Sequence, residues 1–125
     1  MIPGMSSLVS FPPVTDSPTL DAWIARSHRE PVVIFKHSVT CGTSAAAYEE
    51  VERFASGPHA LAIALVIVQQ QRAVSNEIAQ RLGIAHHSPQ ALLLVDGRVH
   101  WHASHWRITE QALNGAAAAA HPAGS

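Results

Sequence analysis

Apolar residues recur along this chain with two periods, and the switches between them divide it into alternating helices and strands. Met1 to Pro13 holds three prolines and no periodicity, and reads as an extended or frayed arm. Leu20, Trp23 and Ile24 then fall at helical spacing; Ser17 is placed to cap that helix with Pro18 at its first position, and Arg29-Glu30-Pro31 stops it. Val32 to Phe35 is a continuous, β-branched run and predicts a buried strand. Ala45 to Glu52 opens the next helix, with Tyr48, Val51 and Phe54 on its inner face and Ser56-Gly57-Pro58 closing it. Leu61 to Val68 is apolar on both faces, as a central strand covered on both sides requires. Val74, Ile78 and Leu82 are spaced by four ahead of Gly83, which is placed for a helix C-cap. After the loop Ala85 to Gln90, the runs Ala91 to Val95 and Arg98 to His102 flank Asp96-Gly97, a strong hairpin signal. Thr109 is placed to cap a last helix that runs into Ala116 to Ala120, a stretch of high helix propensity that offers little to pack. His121 to Ser125 is expected to fray.

The order is therefore helix, strand, helix, strand, helix, hairpin, helix. Two strands joined by a crossover helix are parallel and a hairpin is antiparallel, so the pattern predicts an α/β domain with a mixed four-stranded sheet and helices on both faces. Thioredoxin-like folds have this layout. They carry a reactive cysteine after the first core strand and a cis proline just before the hairpin. Cys41 and Pro89 stand at those places, and the likeness implies that Ser88-Pro89 lines the Cys41 site.

Composition narrows the reading. With 125 residues and 47% hydrophobic content, one compact domain is expected, spanning 14–117 between a flexible N-terminal arm (1–13) and a flexible tail (118–125). Eight basic and nine acidic residues leave a formal charge of −1 without a basic run, so neither nucleic acid nor an anionic membrane is expected as a partner. Ala60 to Val68 is too short to span a bilayer, and Met1 to Pro13 lacks the basic start and apolar core of a signal peptide, so a cytoplasmic location is expected. One cysteine fits a reducing compartment and rules out an intramolecular dithiol mechanism.

That cysteine sits where the first strand gives way to a helix. Free backbone N–H groups and the positive end of the helix dipole converge there and favour the thiolate. A lone cysteine in such a domain is otherwise a small buried hydrophobe, but its polar neighbours argue for a reactive thiol. Around it, Lys36 and His37 at the strand end either stabilise the thiolate or simply pack and solvate. Thr40 either donates to the thiolate or shapes the turn. Ser44, three residues on, either donates to the thiolate or is a tolerated early-helix residue. Nine histidines raise the question of a metal: His100 and His102 share a strand face, and His86-His87 enter the loop expected beside Cys41. Adjacent side chains point apart and no set of three ligands has site-like spacing, so no metal is expected. Trp101 and Trp106 are expected to pack rather than to form a ligand platform.

Several stretches together resemble the monothiol bacilliredoxins of the C type, general-stress, thioredoxin-like proteins of the bacillithiol system. They are Phe35-Lys36-His37-Ser38, Thr40-Cys41 with Ser44, Tyr48-Glu49-Glu50, Val74 to Ala79, Ser88-Pro89-Gln90 and Trp101 to Trp106. Members of that family typically carry proline after the cysteine, where this chain has Gly42. The resemblance implies a disulfide reductase in which the Cys41 thiolate removes a low-molecular-weight thiol, bacillithiol, from S-thiolated client proteins. That thiol is then a co-substrate, and no tightly bound cofactor is expected. Ser44 stands where a dithiol relative has its resolving cysteine, so an external thiol must release Cys41. His87, Ser88 and Pro89 are the expected substrate-side residues, with Pro89 holding backbone groups for an extended partner. The rival reading is a redox-sensing or interaction domain whose cysteine is thiolated without turnover.

Overall fold

A computed structural model describes residues 11–120. Its elements are α1 (Ser17–Arg26), β1 (Val32–His37), α2 (Gly42–Ala55), β2 (Ala62–Ile67), α3 (Arg72–Leu82), β3 (Gln90–Val95), β4 (Arg98–Ser104), a 3-10 turn (His105–Arg107) and α4 (Glu110–Ala120). The sheet runs β2-β1-β3-β4, with β1 parallel to β2, β3 antiparallel to β1 and β4 antiparallel to β3. This is the mixed sheet that the hydrophobic pattern predicts.

Strand alternation divides the core. Val33, Phe35, Ile63, Leu65, Ala91 and Leu93 face one way and pack with Val51 and Phe54 of α2 and Leu113 and Ala117 of α4. Val32, Ile34, Ala64, Val66, Leu92 and Leu94 face the other way, onto Leu20 and Trp23 of α1 and Val74 and Ile78 of α3. The side chains of Val32 to Lys36 are buried throughout, because β1 is covered on both faces and paired on both edges. Gly83 closes α3 in the left-handed conformation (φ 64°). In the hairpin turn Asp96 and Gly97 both take positive φ, the backbone that a two-residue connection demands. Ser27, just past α1, fixes that turn by accepting Gly97 N–H on its hydroxyl (2.8 Å) and Asp96 N–H on its carbonyl (2.9 Å).

The structure departs from the pattern at both ends and at one cap. Asp16, not Ser17, caps α1: its carboxylate accepts the Thr19 N–H at 2.9 Å and so places Pro18 one position deeper. Residues 11–13 are not a free arm. Val14 N–H donates to Leu65 O (2.8 Å) and Leu65 N–H to Pro12 O (2.9 Å), so the segment pairs along the outer edge of β2. Phe11 is 7% exposed and its ring meets Tyr48 at 5.6 Å. That pairing covers an edge strand that would otherwise offer free N–H and C=O groups. The rest of the expected arm, residues 1–10, lies outside the described residues. At the other end α4 continues to Ala120, with Ala116, Ala117 and Ala120 buried in the core, so the domain extends beyond residue 117. An alanine face packs because its small side chains let α4 approach α2 closely. The remainder of the expected tail, 121–125, is likewise outside the described residues. Among the described residues no helix is long and apolar enough to cross a membrane.

Phe11→Ala tests the N-terminal segment. Losing a buried ring from a core of this kind costs about 3 kcal/mol, whereas removal from a free arm costs nothing; urea unfolding of the two proteins separates the cases.

Candidate active site

The carboxyl end of β1 delivers the chain into the turn 38–41 and then into α2. Cys41 is the N-cap residue of α2, with extended backbone (φ −111°, ψ 125°), and is partly exposed. The first N–H groups of α2 have no acceptor within the helix, and those of Thr43 and Ser44 act on the Cys41 sulfur at its start. The backbone N–H groups of Ser44 and then Thr43 hold the thiol below its ordinary pKa, with smaller help from their hydroxyls and some opposition from burial. The sequence reading singled out the helix N-terminus correctly, but it passed over Thr43.

Hydrogen bonds within the turn fix where the sulfur stands. Ser44 is fully buried and its hydroxyl accepts the Ser38 N–H at 3.1 Å, closing the turn across the start of α2. Gln69, in the connection after β2, donates to the Ser38 hydroxyl (2.7 Å) and the Thr40 hydroxyl (3.2 Å) and accepts the Val39 N–H (3.3 Å). Thr40 thus belongs to the turn's scaffold. No sequence signal identified Gln69, because a lone amide in a polar loop resembles any solvated residue. Gly42 is exposed, and a Cβ there would meet nothing within 4 Å.

Consecutive strand residues go to opposite faces, and this separates Lys36 from His37. His37 lies on the α2 face, edge-on to Tyr48 with ring centroids 5.0 Å apart. Burial lowers its pKa, opposed in part by the Ser44 backbone, so at neutral pH the ring adds no positive charge beside Cys41. Lys36 is on the α3 face and fully buried, donating to Ser75 O (3.0 Å) and meeting His86 Nδ1 at 3.1 Å. The expectation that Lys36 stabilises the thiolate therefore meets a side chain held on the other side of the sheet. Burial without a carboxylate partner among the described residues pulls its pKa to about 8.

The register Lys36↔Gln90 carries Pro89 to the same end of the sheet as His37, and the Ser88–Pro89 bond is cis. Pro89 is buried and its carbonyl accepts the His105 N–H (3.1 Å). His86 and His87 are both exposed and point apart: His86 Nδ1 meets Lys36 and Ser75, while His87 meets the His105 ring edge-on at 5.7 Å. Trp101 packs half-buried against the core, but Trp106 is 71% exposed, contrary to the expectation that it packs. The 3-10 turn that carries it starts at the left-handed His105 and has no buried residue. Among the described residues no three His, Cys, Asp or Glu side chains converge on a point that would hold a metal.

Two substitutions test these assignments. Ser44→Ala leaves the Ser38 N–H buried without an acceptor, an expected loss of about 1–2 kcal/mol. It should raise the thiol's pKa only slightly, because backbone N–H groups dominate; thiolate absorbance against pH and urea unfolding measure both. Lys36 binds fewer protons when folded than unfolded between about pH 8 and the free value of about 10.4. Stability should therefore rise with pH across that window, by at most ~3 kcal/mol. Lys36→Met should abolish the rise, as unfolding at about pH 7.5 and 9.5 would reveal.

Comparison with known proteins gives a consistent picture. The family model described as "Monothiol bacilliredoxin BrxC" matches residues 13–113. Among solved structures, one put forward as an oxidoreductase with a thioredoxin fold is 30% identical, covering 84% of this chain and 91% of its own at a TM-score of 0.76. Thioredoxin from Fasciola hepatica is 16% identical, covering 89% of this chain and 100% of its own, with a TM-score of 0.72. Spinach chloroplast thioredoxin f is 17% identical, covering 88% and 92%, with a TM-score of 0.68. At such identities the two thioredoxins speak for the fold alone. The fold is thioredoxin-like, the family and fold together support a thiol redox role, and the chain belongs to the monothiol bacilliredoxin family.

Proposed function

We propose that this protein is a monothiol disulfide reductase that removes a low-molecular-weight thiol, bacillithiol, from S-thiolated client proteins in the cytoplasm. The observation that carries the reading is the setting of Cys41: a partly exposed thiol whose pKa is lowered by the Ser44 and Thr43 N–H groups at the start of α2. A thiolate at neutral pH is the form that attacks a disulfide.

The reaction needs two exchanges. The Cys41 thiolate attacks the low-molecular-weight sulfur of the mixed disulfide; a new Cys41–S–S bond forms, the old bond breaks, and the client cysteine leaves as a thiolate that takes a proton from water. Ser44 has no sulfur to resolve this state. A second molecule of low-molecular-weight thiol, as its thiolate, then attacks the outer sulfur and leaves as the symmetric disulfide, returning Cys41. Both electrons come from the external thiol pool, so no bound cofactor is required. Client docking falls to the carboxyl end of the sheet. There the cis Ser88–Pro89 bond stands level with the end of β1, where an extended client segment would meet the backbone of the loop.

One client protein carrying bacillithiol, glutathione or coenzyme A in mixed disulfide, tested in parallel with excess free thiol, separates the possibilities. We expect catalytic turnover that is fastest with bacillithiol and absent in Cys41→Ser. A single stoichiometric transfer onto Cys41 without turnover would instead identify a thiolated sensor.

A further inference from the structure

Two non-glycine residues among those described have φ in the left-handed region, Asp96 (φ 53°) and His105 (φ 55°). The hairpin turn accounts for Asp96. His105 lies in no hairpin, and holding a residue with a Cβ there costs on the order of 1 kcal/mol. Its N–H bond to Pro89 O keeps it in place. The effect of this conformation is to end β4 and start the 3-10 turn that sets Trp106 in water. Backbone held in this way at the rim of a site is a reason to look for function there.

What the turn presents is specific. His102 to Arg107 line a groove of about 410 Å³, within the range of small-molecule sites. No acidic side chain lines it. Arg107 is exposed and forms no ion pair among the described residues. The His87 and His105 rings, in contact with each other, adjoin it on the side of the cis-proline loop. The turn also packs against α2, the helix that begins beside Cys41. Gln90↔Ser104 puts the end of β4 level with the start of β3, and Lys36↔Gln90 puts that level with the end of β1. The turn and Cys41 therefore stand at one end of the sheet. Two strand spacings separate β4 from β1, roughly 10 Å.

We infer that the groove of Trp106 and Arg107 receives the non-sulfur part of the low-molecular-weight thiol, a molecule carrying at least one carboxylate, while its sulfur is engaged at Cys41. Arg107 pairs with the carboxylate, the face of Trp106 covers the body of the molecule, and the His87 and His105 rings supply hydrogen bonds. This inference rests on the reading of Cys41 as the nucleophile and adds to it the chemical class that the site selects.

The test uses the full chain and one client protein bearing either glutathione, which has two carboxylates, or cysteamine, which has none. Wild type should reduce the glutathione adduct with the higher kcat/KM. Arg107→Gln should lower that value about 10-fold, the worth of one charge-assisted pair, mainly through KM. The cysteamine rate should stay the same. Trp106→Ala should act in the same direction, and both positions are exposed, so folding is not at stake. Equal wild-type rates on the two adducts, or equal losses on both in the variants, would overturn the subsite while leaving the thiol chemistry standing. Failure of wild type on both adducts would overturn the subsite together with the nucleophile on which it depends.

Discussion

The doubly buried strand β1 is the constraint from which the rest of the structure follows. Covered on both faces and paired on both edges, it has no freedom to slip, since a shift by one residue would turn Val33 and Phe35 out of one core and Val32 and Ile34 out of the other. Its carboxyl end is thereby a fixed point. The turn 38–41 leaves from that point, α2 starts after it, and the antiparallel register brings the start of β3 and then the end of β4 level with it. Residues far apart in sequence, Cys41, Pro89 and His105, are set at one end of the sheet by backbone pairing. Long side-chain networks are not needed to gather them.

The same strand decides the electrostatics. Because its residues alternate, the cation nearest to Cys41 in sequence is sent to the face that Cys41 does not share, and the histidine that does share it is neutral through burial. The thiolate is therefore stabilised by backbone N–H groups at a helix start and not by an ion pair. Such dipoles are fixed by the fold, so they do not need to be reorganised when charge develops, and they are not lost when a nearby group titrates. Lys36 makes the contrasting case. Its ammonium is held by a carbonyl and an imidazole with no counter-ion among the described residues, which makes it a source of pH-dependent strain on stability.

Much of this was legible in the chain because the signals are local and physical. Continuous apolar runs located the buried strands, Asp96-Gly97 located the hairpin, and a cysteine between a strand and an alanine-rich stretch located a helix start. What escaped depends on contacts made across the sequence. Phe11 has no periodic neighbours, and its burial against Tyr48 follows only once residues 11–13 pair with β2. Gln69 clamps the turn through three hydrogen bonds to residues about thirty positions earlier, which no local pattern encodes. Trp106 was misread because size and apolarity suggest burial, whereas a left-handed His105 turns the chain away from the core just before it. For Lys36 the sequence leaves thiolate stabilisation and packing both open, and strand alternation, which sends it to the face opposite His37, is what favours packing.

Ser44 shows why a monothiol arrangement is built into this site and is not a dithiol site with one atom missing. In a buried position its hydroxyl accepts the Ser38 N–H, and so holds the strand end, the turn and the first turn of α2 as one unit. Sulfur is a weak acceptor, and a cysteine drawn into a disulfide with Cys41 would abandon that N–H altogether. The turn would then rely on Gln69 alone. In the proposed reaction, giving up an internal resolving thiol keeps Cys41 in a single geometry through both exchanges and hands the second one to a molecule from solution. Such a molecule must be recognised by something other than its sulfur, which all thiols share. Side chains beyond Cys41, at the rim where Pro89 and His105 meet, are what can tell one thiol from another.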